Sequence, residues 1–191
     1  MVKRAPAPPY LGEGPPALWH VSEEPTIARF APHRVPTALT DESLVWAVDT
    51  RHLPLYWFPR DCPRCTFWAG SRTNAADVQR FLDGQRELRV HVIEEGWLER
   101  VRGTRLYVYR LPIESFTEDG EVGGYWVSRA VVDPLDLVEI DDLIGRHAAA
   151  GIVLRTTVNL WPLWDAVVGS TLEFSGIRLR NALSRPQPSA S

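Results

Sequence analysis

Two cysteines, Cys62 and Cys65, stand at C-x-x-C spacing, the arrangement of a redox dithiol or of half a zinc site. A redox pair needs its first thiol at a helix N-terminus, where the dipole lowers the thiol pKa; here the strand-like Thr66–Ala69 follows instead. Zinc needs four ligands, but no second C-x-x-C exists, and His33 and His52 lie upstream at no familiar spacing. The pair reads as ordinary reduced thiols, and no metal site is expected.

The surrounding run, Phe58-Pro59-Arg60-Asp61-Cys62-Pro63-Arg64, sets two arginines in a proline-restricted loop. Guanidinium forks grip phosphate or carboxylate bidentately, and prolines reduce the freedom lost on binding. Two readings stay open: Arg60 and Arg64 hold an anion, or Asp61 pairs with one of them to brace the loop. His20 and Ser22 sit two apart in Leu18-Trp19-His20-Val21-Ser22, so in a strand they share a face. They can grip a ribose hydroxyl, or His20 can be a hydrogen-bonded core histidine. Arg178 and Arg180 alternate with Ile177 and Leu179, which in an extended segment puts both arginines on one side, toward either a ligand or solvent. Eight tryptophans are enough to stack a base, although core packing accounts for most of them.

These groups need elements to carry them. Strand-like runs are Ala17–Val21, Ser43–Asp49, Thr66–Ala69, Arg89–Ile93, Thr104–Leu111, Tyr125–Ser128 and Ile152–Thr156. A brief helical turn is expected near Glu24–Arg29. Asn74 caps a helix bearing Val78, Phe81 and Leu82 and stopped by Gly84; another covers Glu94–Arg102. Ile140, Leu143, Ile144 and His147 form an apolar helical stripe, and Asn159 caps a helix with Pro162 in its first turn. Strands too scattered for a βαβ series predict an α+β fold: a single domain at 17–183 with a split, mixed, mainly antiparallel sheet and short flanking helices. Pro-rich residues 1–16 and 184–191 read as flexible arms.

Composition narrows the class. The chain has 191 residues, 45% hydrophobic and 24% charged, which excludes a disordered chain, a coiled coil or a collagen-like rod. A net charge of −3 gives no global field to gather nucleic acid or anionic lipid. Lys3 is the sole lysine beside 20 arginines, so arginine abundance reflects a GC-rich coding bias. No signal peptide or membrane-length apolar run is present, and a cytoplasmic location is expected, with no membrane partner. P-loop, Rossmann, nucleophile-elbow and zincin motifs are all missing.

The strings Leu18–Pro25, Pro54–Arg64, Gly124–Ser128, Asn159–Trp164 and Phe174–Arg178 resemble an uncharacterised bacterial domain-of-unknown-function family across nearly all of residues 17–182. More remotely, the first strand with its histidine, the strand of the Leu44–Val48 kind and a following tyrosine resemble the ADP-ribosyltransferase fold. That resemblance implies NAD as cofactor, with His20 on the ribose and Tyr56 against nicotinamide, His20 and Tyr56 converging on a cleft between the halves; Ser22, on the strand face of His20, joins the expected cofactor-binding residues. A catalytic acid should open the late strand at Gly123-Gly124-Tyr125-Trp126; none does, and Glu121 is the nearest acid. RNA 2′-phosphotransferases share the fold and use a histidine with several arginines, a pattern that Arg60, Arg64 and Arg178 suit. The expected function is therefore a nucleotide-handling protein binding NAD or a phosphorylated nucleotide. Either it transfers ADP-ribose to a nucleic-acid or protein acceptor, or it acts as a phosphotransferase, or it is a non-enzymatic binding module.

Overall fold

A computed structural model describes residues 17–34, 42–119 and 124–186. In chain order the elements are β1 (Leu18–Ser22), β2 (Val45–Asp49), β3 (Arg64–Trp68), α1 (Ala75–Leu82), β4 (Arg89–Glu94), α2 (Leu98–Gly103) and β5 (Leu106–Leu111). Then follow β6 (Thr117–Glu118), β7 (Tyr125–Ser128), β8 (Asp136–Ile140), α3 (Leu143–Ala149), β9 (Ile152–Thr157), α4 (Trp161–Val168) and β10 (Glu173–Ile177). The fold is α+β, and the strands form two sheets. Seven of the eight strand pairings among the described residues are antiparallel. The expected arm at 1–16, the tail beyond 186 and Glu121 lie outside the described residues.

The chain divides into two compact units. The first takes the described residues up to Trp57 together with Arg105–Asp141; the second takes Phe58–Thr104 and the chain from Asp142 onward. The first unit is a six-stranded antiparallel sheet in the order β6-β7-β2-β1-β5-β8. Alternation sends Leu18, Val45, Ala47, Tyr109 and Leu111 to one face, where Phe30, Phe116 and Val132 cover them. Of the helical turn expected at Glu24–Arg29 only a turn at Pro25-Thr26 forms. The Tyr109 hydroxyl takes over its backbone groups, donating to the carbonyl of Glu24 at 2.6 Å and accepting from the Ile27 amide at 3.1 Å.

The second unit is a four-stranded mixed sheet, β10-β3-β4-β9, in which only the β4–β9 pair among the described strands is parallel. Its core face carries Cys65, Phe67, Val90 and Val92 and is covered by Val78, Phe81 and Leu82 of α1 and by Val167 of α4. Asn74 caps α1 as expected, its side chain accepting from the Asp77 amide at 2.8 Å. The helix stops where Asp83 turns left-handed and Gly84 follows at φ 79°. Pro162 sits in the first turn of α4. Two expectations fail. Ile140 ends a strand rather than opening a helix, because Leu137–Ile140 pairs with Leu106–Tyr109 and α3 begins only after Asp142. Arg178 and Arg180 do not share an extended side, because β10 ends at Ile177 and Arg178 turns left-handed at φ 58° into a 3₁₀ turn at Leu179–Asn181.

Candidate functional site

In the first unit, His20 lies on the core face of its sheet. Its Nδ1 is 2.9 Å from the carbonyl oxygen of Trp46, and its ring lies 4.7 Å from that of Phe30. The Ser22 hydroxyl accepts from the Glu24 amide at 3.0 Å, which fixes the turn after β1. Tyr56 closes the 3₁₀ turn Leu53–Tyr56 and donates to the Tyr125 hydroxyl at 2.9 Å, ring edge to ring face. Tyr125 pairs with Val48, and Val48 with Trp19, so Tyr125 shares the face of Trp19 and not that of His20. His20 and Tyr56 are therefore not brought together: one packs on each face of the same sheet.

A pair that sequence reasoning passed over lies at the end of β2. Asp49 Oδ1 accepts from the His52 amide and meets His52 Nδ1, both at 2.8 Å. Burial pushes the Asp49 carboxyl up, but the His52 ring and backbone more than offset it, and the pKa ends below its ordinary value. Gly124, at φ +84°, lies against the His52 ring, where a Cβ would collide with it.

In the second unit, the loop arginines part company. Arg60 is exposed, whereas Arg64 is 2% exposed. Arg64 Nη1 donates to the carbonyl of Cys62 at 2.8 Å, and its guanidinium lies 5.1 Å from the Phe58 ring centroid. Arg178 Nε and Asn181 Nδ2 donate to the carbonyls of Arg60 and Asp61, at 3.1 and 2.8 Å. The loop is thus braced through its backbone carbonyls, a form of bracing that the charge pairing with Asp61 did not anticipate. Burial pushes both Cys62 and Cys65 thiols up to about 12, so neither is a thiolate near neutral pH.

The sheet face opposite that core is polar. Strand alternation and register place Arg64 and Thr66 of β3 beside Arg89 and His91 of β4. Arg64, Thr66, Arg89 and His91 are all essentially inaccessible, and α3 adds His147, also buried, and the half-buried Arg146. His147 Nε2 and His91 Nδ1 are 3.1 Å apart, with the Phe58 ring packed on both imidazoles. The Arg89 guanidinium lies 4.6 Å from the Trp68 ring centroid. Trp68, Leu154 and Ser175 on this face are half-buried and give it an accessible rim. Burial is the main cause that drives His91 well below its ordinary value, helped by His147, Arg89 and Arg64. Burial likewise brings His147 down to about 4; its bond to Leu143 opposes this, and Arg89, Arg64 and Arg146 reinforce it. Arg64 and Arg89 thus push both histidines in the same downward direction.

This gathering was partly readable. His147 stands on the apolar stripe of its helix, and the alternation Arg89-Val90-His91-Val92 commits Arg89 and His91 to one face. Their meeting depends on β9 and α3, whose partners lie more than fifty residues away in the chain. Among the described residues no group of three His, Cys, Asp or Glu is placed to hold a metal ion, and no helix is long and apolar enough to cross a membrane.

Fold and site together define an α+β protein of two sheet units, the second carrying a buried arginine–histidine face. The chain belongs to DUF6886, a family of unknown function whose model matches residues 19–182. No curated protein and no solved structure matches it.

Proposed function

We propose that this protein binds a phosphorylated nucleotide, and that the arginine–histidine face of the second unit takes the phosphate. The observation that carries the reading is the electrostatics of that face. Arg64 and Arg89 act on both rings of the His91–His147 pair, and Arg146 acts on His147. Guanidinium groups gathered on one face can share a single phosphate. Charge-assisted contacts to phosphate are also the strongest hydrogen bonds available to arginine.

Of the activities that the fold resemblance implies, this arrangement favours the phosphotransferase pattern of a histidine with several arginines. ADP-ribosyl transfer is favoured less, because His20 and Tyr56 occupy opposite faces of their sheet. The analogy is one of fold and residue type, and binding is the part that the residues themselves support.

Calorimetric titration of the full chain with AMP, ADP-ribose and NAD tests the reading. At least one ligand should bind, and Arg89→Gln, checked for folding by circular dichroism, should weaken it about tenfold or more. Absence of binding by all three, or binding untouched in folded Arg89→Gln, refutes the proposal. Consumption of NAD that is lost in Glu121→Gln would instead favour ADP-ribosyl transfer.

A further inference from the structure

We propose that β10 is a dimerisation edge. Two copies of this chain join β10 to β10, antiparallel about a twofold axis at Ser175, and their four-stranded sheets become one continuous sheet.

Strand β10 ends its sheet and pairs with β3 alone among the described strands. Its register partners are Phe174↔Phe67, Ser175↔Thr66 and Gly176↔Cys65. In an antiparallel ladder one residue turns both its amide and its carbonyl to one neighbouring strand, and the next residue turns both the other way. The Thr66 hydroxyl donates to the Ser175 carbonyl at 3.2 Å, so Ser175 faces β3. Phe174 and Gly176 therefore direct their amides and carbonyls at the outer edge. Exposure agrees: Gly176 has only backbone to expose and is exposed, although the Trp164 ring fills the place that a Cβ would take. Lysine and proline, common guards of an open edge, are both missing from Glu173–Ile177.

The occupant is a second copy because this edge is complementary to itself. A twofold axis at Ser175 sets Phe174 opposite Gly176 of the second copy, and Gly176 opposite its Phe174. These are the two residues whose backbone groups point outward, so each such pair exchanges two hydrogen bonds. The side chains fit the same register. Phe174 is 39% exposed and meets Trp164 edge to face, with ring centroids 5.5 Å apart. The glycine opposite leaves room for the Phe174 ring to lie across the seam, the way an aromatic side chain covers an edge glycine. Val168, one helical turn after Trp164 and 47% exposed, extends the apolar strip. On the other face, exposed Glu173 falls opposite Ile177 of the second copy and beside Arg178, so opposite charges meet at both ends of the seam. Such a contact uses the same strand of both copies and closes at two. Both arginine–histidine faces then lie on one side of the joined sheet, with Ser175 at the seam.

Sedimentation velocity of the full chain between about 1 and 200 µM tests the proposal. The mass should rise with concentration from one chain to two and stop there. Phe174→Lys, checked for folding by circular dichroism, sets a charge in the seam and should raise the dimer Kd about tenfold or more. Ser175→Cys reads the register. The two copies of this position face each other as a non-hydrogen-bonded pair, with Cα atoms about 4.5 Å apart, so diamide should oxidise the two thiols to an interchain disulfide. Glu173→Cys should stay unlinked, and the native Cys62 and Cys65 are buried. A wild type that remains a single chain at about 200 µM overturns the proposal and leaves the edge to an extended peptide of another protein. A dimer that folded Phe174→Lys retains at full strength, or one that diamide links through Glu173→Cys as readily as through Ser175→Cys, also overturns it. If Phe174→Lys does not fold, the concentration series and the disulfide linkage decide.

Discussion

Mild acid should unfold this protein through its second unit, before its carboxylates titrate. Burial holds His147 down to about 4, against an ordinary value of 6.5, and His91 moves in the same direction. The folded state therefore binds fewer protons than the unfolded chain between these two values. The stability that the neutral pair contributes is complete above about pH 6.5 and is lost as pH falls towards 4. At about 1.4 kcal/mol per pKa unit, His147 alone removes about 2 kcal/mol by pH 5 and about 3 kcal/mol once protonated. His91 adds a loss of the same sign. A small domain holds only about 5–15 kcal/mol in total, so this is a large fraction. Asp49, whose pKa lies below 3.8, belongs to a separate and lower window. The assay is urea unfolding at pH 7.5, 6 and 5 for the wild type and for His147→Leu. The wild type should lose at least about 2 kcal/mol across this range, and the variant clearly less. Equal losses in the two proteins would refute the burial argument.

Three further outcomes follow from named contacts. Gly124→Ala must hold a Cβ at φ +84° against the His52 ring and should cost about 2–4 kcal/mol in urea unfolding; an unchanged midpoint would contradict the close approach. Glu94, buried, accepts from the amides of Leu160 and Leu183 at 3.2 and 3.1 Å, so Glu94→Leu should cost about 2–5 kcal/mol. The same change should speed hydrogen exchange at Leu183, and protection that persists there would argue against the anchor. Arg64→Lys loses the planar contact with Phe58 and the bond to the Cys62 carbonyl, and should lower stability by about 1–2 kcal/mol; a melting temperature equal to wild type would remove Arg64 from the loop brace.

Local chemistry made much of the fold legible. The Asn74 cap, the Gly84 stop, Pro162 in a first turn and the β-branched run at Ile152–Thr157 act within a few residues, and each appears where the spacing puts it. Elements decided by distant partners were harder to read. Asp136–Ile140 does not alternate cleanly, since Leu137 and Val138 are adjacent apolar residues. Ile140, Leu143 and His147 also fit a helix, and only pairing with β5 decides between strand and helix. Beyond Pro25-Thr26, the helical turn at Glu24–Arg29 loses to the Tyr109 hydroxyl, 85 residues from Glu24 in the chain. The site followed the same rule. His20 and Ser22 share a strand face, as their spacing requires, but the Trp46 carbonyl that meets His20 belongs to a neighbouring strand. Arg64 was singled out from its loop, whereas Arg89, His91 and His147 become a group only through the β3–β4 pairing and the packing of α3.

The central claim is that the arginine–histidine face receives phosphate, and imidazole ¹⁵N NMR under titration with AMP tests it most directly. In the free protein near neutral pH, His91 and His147 should both appear as neutral rings protonated at Nδ1. Adding AMP should move the ring resonances of His91 and His147, whose surroundings the phosphate changes, while the rings of His20 and His52 in the first unit stay unchanged. His91 and His147 rings that are both silent to saturating AMP would contradict the account.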